Sequence, residues 1–277
     1  MFNLQPATSK GRGTFVFQVL VTFLPMALVC CAAAYYLYFS ALDRAAIRNR
    51  LHEAAAIKIC RNVIGEELKE VGRDLNFVSG NHSLKNFLDR AEPMEIRNFE
   101  QDMLNLASAS GLYDHIRWID ETGMERVRVN FNNGNPVLTP VEGLQNKRSR
   151  YYFPATFKLE RGKIYISPLD LNIEHDSIEI PYKPMLRMAT PVFDSHGDKR
   201  GIVILNYFGA KLLARFNEAT ADIADHAMSL NQEGYWLKSP KPEEDWGFML
   251  GHEQLTLARR HTSAASHFRL ATYAGER

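Results

Sequence analysis

Cysteine is scarce in this 277-residue chain, with three at Cys30, Cys31 and Cys60. Two sit inside an apolar run and the third has no partner further along. No disulfide framework and no C-x-x-C zinc spacing can be built from them. Charge of one sign is also missing: 33 Lys and Arg stand against 32 Asp and Glu. A nucleic-acid binder carries a clustered basic excess, so no nucleic-acid partner is expected. There is no phosphate-cradling G-x-x-x-x-G-K-[ST], no dinucleotide fingerprint and no G-x-S-x-G elbow. Kinase nucleotide motifs and the G-G-[DE]-E-F signature are absent too. "HEAAA" at His52 and "HEQLT" at His252 each supply half of H-E-x-x-H, and one imidazole does not hold zinc. No metal, no cofactor and no catalytic residue of these classes is expected.

One region has almost no charge. Thr14 to Leu42 reads "TFVFQVLVTFLPMALVCCAAAYYLYFSAL", longer than the roughly 20 apolar residues that cross a bilayer. Pro25 is tolerated there because neighbouring groups satisfy the freed carbonyl. Tyr35, Tyr36 and Tyr38 suit an interfacial belt. A signal peptide has about half this apolar length, so an uncleaved anchor over 14–42 is expected. Lys10 and Arg12 precede it without an acid among the first twelve residues. That favours a cytoplasmic tail over 1–13 and a large part outside the cytoplasm, in the periplasm of a single-pass inner-membrane protein.

Residues 43 to about 79 contain no proline and read as one helix. Ile64, Leu68, Val71, Leu75 and Val78 fall on one stripe, which serves equally for docking on the chain's own domain or for a homodimer. A short helix is expected from about Ser83, and Pro93 opens another to about Ser110. From His115 the period becomes two. "HIRWIDETGMERVRVNF" reads as strand, turn and strand, with Gly123 in the turn. "KIYISPLDLNI", "MLRMATPVF" and "GIVILNYF" are three further strands, and a long excursion over 132–162 precedes them. Helices first and an antiparallel sheet after predict an α+β fold. "AMSLNQEGYWLKS" opens a second sheet.

"SPLDLNIEHDSIEIP", residues 167–181, concentrates acidic and amide side chains. As a calcium loop it fails, since His175 stands where the sharp turn needs glycine and Pro181 where the bidentate Glu belongs. Asp170, Asn172 and Glu174 alternate with Leu169, Leu171 and Ile173, so the polar trio would share one strand face. Asp170 and Glu174 could then serve as a hydrolase pair, or as part of a solvated strand face or a pocket lining.

The run "RYYF … GKIYISPLDLNIE … IEIPYKPMLRMATPVFDSHGDKRGIVILNY", behind a span and a long helix, resembles the extracytoplasmic double Cache (PAS-like) sensor domain. Bacterial sensor histidine kinases, diguanylate cyclases and chemoreceptors carry such domains. "SLNQEGYWL … EDWGFM" adds to the likeness. The resemblance implies a helical stalk over 43–110, a membrane-distal Cache module over 111–220 and the start of a membrane-proximal module over 221–277, truncated before its end and lacking an output domain. The chain would then be no enzyme itself.

The resemblance also implies a pocket between the sheet and the excursion that covers it. Arg148, Arg150, Tyr151 and Tyr152 lie in that cover, and Tyr165, Ser167, Asp170 and Asn206 on the strands. Together they form the expected ligand-binding set, suited to a small carboxylate or other anion. Asn206 stands where amino-acid-binding relatives have an Asp, and Ser149 where they have an Arg. Arg187 is placed to pair with Asp170 or Glu174. The leading expectation is a membrane-anchored small-molecule sensor. The alternatives are a membrane-anchored hydrolase and a non-signalling module that dimerises through the 64–78 stripe.

Overall fold

The structure is a computed structural model that describes residues 9–174, 177–224 and 227–260. His175 and the first and last stretches of the chain lie outside the described residues. Two compact units are present, residues 1–55 and 56–277. Helix α1, Ser9–Ser79, contributes to both.

In the first unit the α1 side chains Phe17, Leu20, Phe23, Leu24 and Leu28 are all exposed. Among the described residues one helix is long and apolar enough to cross a membrane. Pro25 lies inside it.

The second unit is the α+β body. After α1 come α2 (His82–Arg90) and α3 (Pro93–Ser110). Asn81 caps α2 by accepting from the Leu84 amide, and Pro93 starts α3 where its missing N–H costs nothing. The strands follow in order: β1 (Tyr113–Ile119), β2 (Glu125–Asn130) and β3 (Val137–Leu138). A short helix α4 (Tyr152–Phe157) sits in the excursion. Next are β4 (Tyr165–Ile166), β5 (Asp170–Leu171), β6 (Ile173–Glu174) and β7 (Ser177–Ile178). The long pair β8 (Pro184–Phe193) and β9 (Lys199–Phe208) leads to α5 (Gly209–Ala219). Strands β10 (Ser229–Leu230) and β11 (Trp236–Lys238) precede α6 (Leu257–Arg260).

The main sheet is antiparallel with order β3-β2-β1-β9-β8-β4, and β5 also pairs with β8. β10 and β11 make a sheet of their own, as do β6 and β7. The expected single strand over "KIYISPLDLNI" is therefore broken: Pro168 cannot donate to a ladder, and after Asn172 the chain leaves β8 for the β6–β7 hairpin.

One face of the main sheet supplies Ile116, Trp118, Val129, Met188, Val203 and Leu205 to a large core. The opposing layer is Leu68, Val71, Leu75 and Val78 of α1, Leu84 of α2, and Phe99 and Met103 of α3. Of the two uses expected for the stripe, docking on the chain's own domain is the one the structure shows. Val71, Leu75 and Val78 have no exposed surface left, so a homodimer through that stripe is not supported. The other face packs Ile119, Ala189, Ile202 and Ile204 against Tyr152 and Phe153 of α4.

Candidate functional site

Register decides which polar side chains share the second face. His115 pairs with Asn206 across β1 and β9, and Asn206 pairs with Arg187 across β9 and β8. Arg117 pairs with Arg128, and His115 with Asn130, across β1 and β2. Alternation places all six on the side opposite the large core. The 145–153 segment covers them, and its approach is fixed at the β1–β2 turn. There Gly123 has φ +86° and lets the chain pass so closely that a Cβ would lie 2.5 Å from that of Arg148. The Lys147 amide donates to the Gly123 carbonyl at 2.6 Å.

The covered face is ionic. The Arg187 guanidinium bonds the Asp170 carboxylate and donates to the Tyr151 hydroxyl at 3.2 Å. Tyr151 in turn donates to the second Asp170 oxygen at 2.6 Å. Arg187 also reaches Asn172 Oδ1 at 3.3 Å, and its amide donates to Ser167 Oγ at 2.9 Å. Arg117 Nη1 lies 3.4 Å from both Glu125 Oε1 and the Tyr152 hydroxyl. Arg128 contacts His115 Nε2 at 2.8 Å and lies 3.8 Å from Glu174. Lys183 pairs with Asp114 and Glu179 at 3.3 and 2.7 Å.

Two buried atoms in this network, Arg117 Nε and Asn206 Oδ1, have neither a hydrogen-bond nor an ion-pair partner among the described residues; a third, Asp114 Oδ2, makes no other hydrogen bond but faces His115 Nδ1 at 2.8 Å. Arg117 and Asn206 are 4% and 0% exposed, so each orphan carries a real desolvation cost.

Electrostatics follow from the burial. Burial and the Arg117 charge push His115 down to about 4, against the pull of Asp114. The ring is neutral at pH 7. Arg128 can only donate, so Nε2 accepts and Nδ1 carries the proton, 2.8 Å from Asp114 Oδ2. Burial raises the Glu174 carboxyl, but Arg128 beside it wins and holds it below the usual range. Burial lowers Arg187, yet Asp170 and Tyr151 more than compensate, leaving it more firmly charged than an ordinary arginine. Burial and Asp170 raise Tyr165. Lys147 is lowered by burial and by Arg117.

Of the expected ligand set, the structure joins Tyr151, Tyr152, Ser167 and Asp170 around Arg187, and puts Asn206 beside His115 at 3.5 Å. Tyr165 packs on the Tyr152–Phe153 cluster. Arg148 is exposed and Arg150 half-buried, and neither guanidinium makes a hydrogen bond or ion pair among the described residues. The cluster's cations are instead Arg187, Arg117 and Arg128.

His115, Arg117, Glu125 and Arg128 went unrecognised in the sequence. Their signal was the period-two polar positions of "HIRWI" and "ERVRVN", which read equally as a solvated face. Where a hollow was anticipated, Tyr151, Asp170 and Arg187 contact one another directly, as do Tyr152 and Arg117. Two cavities, of about 330 and 390 Å³, lie at the β8–β9 turn and beside α1. The hydrolase reading fails on geometry, because Asp170 is committed to Arg187 and Glu174 sits on the separate β6–β7 hairpin facing Arg128.

Comparison with known proteins bears on the whole body. Residues 69–269 match the family model for the bacterial histidine kinase sensor domain. The extracellular domain of the histidine kinase vpHK1S-Z8 is 18% identical with a TM-score of 0.65, covering 79% of this chain and 81% of that one. A domain of a sensory box/GGDEF family protein from Vibrio parahaemolyticus is 17% identical with a TM-score of 0.63, covering 80% and 84%. The ligand-binding domain of the Pseudomonas aeruginosa amino acid chemoreceptor PctC, in complex with GABA, is 15% identical with a TM-score of 0.50, covering 78% and 81%. A search of curated proteins finds no match. These likenesses concern the fold, and the family match spans most of the chain. This chain belongs to the bacterial histidine kinase sensor-domain family.

Proposed function

We propose that the chain is the extracytoplasmic, ligand-sensing part of a membrane-anchored receptor. A small polar molecule binds on the covered ionic face of the main sheet. Residues 14–42 anchor it in the inner membrane with 1–13 in the cytoplasm. Residues 111–220 form the sensing module in the periplasm, and 221–277 begin a second one.

The observation that carries this reading is the buried network with its two unpartnered atoms. Burying charge costs several kcal/mol per ion, and apolar packing of the same volume is often as stable or more so. The other face of the same sheet shows that apolar packing was available. An ionic face with spare donor and acceptor capacity is suited to recognition. Arg187, Asp170 and Tyr151 form a self-bonded closed state, and a ligand carboxylate would take the place of Asp170 on Arg187. Arg117 Nε offers a second donor, and Asn206 Oδ1 an acceptor for a ligand N–H or O–H. PctC, of similar fold, holds GABA, which has both kinds of group.

The test is thermal unfolding of the whole chain in lipid nanodiscs with GABA, other amino acids and small dicarboxylates. A binder raises Tm in proportion to the logarithm of its concentration above Kd. The rise should vanish in Asn206→Ala and Arg187→Gln. A compound that stabilises these variants as much as the wild type binds elsewhere and removes the support for this site. Topology is checked separately: alkaline phosphatase fused after Arg277 should be active only if that end is periplasmic.

A further inference from the structure

The layer between α1 and the main sheet is almost wholly apolar, and apolar contacts are non-directional. Burial of Leu68, Val71 and Leu75 rewards contact area and supplies no directional bond between helix and sheet. Among the described residues two side-chain hydrogen bonds cross this layer. Tyr113 of β1 donates to Asp74 at 2.5 Å, and Tyr207 of β9 donates to Glu67 at 2.7 Å. Both tyrosines are fully buried, and they are register partners in the sheet. Glu67 and Asp74 are seven residues apart on α1, about two turns and 10 Å along one helix face.

We propose that Tyr113 and Tyr207 are a two-point register lock, which sets the rotation and height of α1 on the sheet and hands displacements of β1 and β9 to the helix. Two directional bonds at separate heights fix what an apolar layer leaves free. The next register pair along the same strands is His115 and Asn206, whose side chains point to the opposite, ionic face. Between Tyr113 and His115 the ladder shifts register, a place where a strand can re-aim a side chain. A group pressing on His115 and Asn206 therefore moves the peptide units that carry both phenols. Burial and the facing carboxylates push the pKa of both tyrosines far above the ordinary phenol value, so the phenols remain donors at any physiological pH. The transmission half of this proposal rests on the ionic face being the sensing face. The lock itself does not.

The test uses the whole chain in nanodiscs without ligand, so its failure leaves the binding reading untouched. Amide hydrogen exchange is followed by mass spectrometry in a Tyr113→Phe/Tyr207→Phe double variant. Phenylalanine keeps the ring and removes the bond. The lock predicts exchange about tenfold faster over residues 64–78, while β8 and β9 stay within about twofold of wild type. In a separate variant that keeps both tyrosines, Asp74→Asn with Glu67→Gln leaves donor and acceptor at each height and should retain most of the wild-type protection. Equal acceleration in helix and sheet would mean ordinary destabilisation and would overturn the lock, as would no change at all. If the double variant does not fold, Tyr207→Phe alone decides. Faster exchange confined to the turns around Glu67 supports the lock, and unchanged exchange there overturns it.

Discussion

Both faces of the main sheet are buried, but only one of them sets a buried ionic network beside its apolar cluster. Toward α1, α2 and α3 the strands present Ile116, Trp118, Val129, Val203 and Leu205. Toward the 145–153 cover, the same strands present His115, Arg117, Arg128, Arg187 and Asn206 next to the smaller apolar cluster of Ile119, Ala189, Ile202 and Ile204. The first face stabilises by area removed from water, which tolerates imprecision. The second holds charges that are costly unless every partner is in place. Stability is concentrated on the helical side and chemical discrimination on the covered side, with one layer of peptide between them.

The largest effect should come from the helical side. Phe99 has no exposed surface and sits in the large core. Phe99→Ala should cost about 3–5 kcal/mol, measured by chemical denaturation. A loss under about 1 kcal/mol would mean that the apolar face is not where stability resides.

On the covered side the expected pattern is different in kind. Arg187→Ala strands the Asp170 carboxylate with only the Tyr151 hydroxyl and should cost about 3 kcal/mol. Removing both charges, as Arg187→Met with Asp170→Leu, should return most of that loss, because the penalty lies in the orphaned partner. No double substitution on the apolar face should show such compensation. If the double variant is as unstable as the sum of the singles, the ion pair is a net stabiliser and the contrast between the faces is weaker than drawn.

This contrast explains what could be read from the sequence. The helix from residue 43 to Ser79, the starts at His82 and Pro93, and the long β8–β9 pair follow from periodicity, capping and turn residues. Such signals are local. Arg187 was expected to pair with Asp170 or Glu174, both in the acidic stretch, and the partner it takes is Asp170. His115, Arg117 and Arg128 escaped because alternation says only that they face away from the core. What turns that face from solvated to buried is a segment about 30 residues further along, held by the Gly123–Lys147 contact, and no local pattern reports it. The broken strand after Pro168 was missed similarly: period two continues through Glu174, while the ladder partner changes.

The pH dependence sharpens the comparison further. His115 has its folded-state value lowered from 6.5 to about 4 by burial and by Arg117. Between those values the unfolded chain binds a proton that the folded chain does not. Stability is therefore complete above about 6.5 and falls as pH drops toward 4, by at most on the order of 3 kcal/mol. Lys183, Arg117 and Arg128 resist the added charge, while Asp114 and Glu174 favour it. The carboxylates' own losses come at lower pH, so the windows separate. Denaturation at pH 7, 5.5 and 4.5 should show this slope in the wild type and a flatter one in His115→Gln. Parallel slopes would show that the imidazole titrates freely and that the covered face is wetter than its geometry implies.

The smallest stability effect is the most informative about purpose. Tyr151 is 43% exposed, and its hydroxyl closes the triangle with Asp170 and Arg187. Tyr151→Phe should lower stability by about 1 kcal/mol or less, since water can replace a bond at a half-exposed site. If the triangle were only a brace, nothing else would change. As a closed state that a ligand must open, it competes with binding, and removing one of its bonds lowers the cost of opening. Under that reading, ligands that engage Arg187 should bind Tyr151→Phe more tightly unless they also use the hydroxyl, in which case they should bind more weakly. Isothermal titration of wild type and variant separates these outcomes, and equal affinities would show that the triangle takes no part in recognition. A side chain worth little to folding yet able to shift affinity in either direction would mark the covered face as built for exchange of partners, in contrast to the permanent packing behind it.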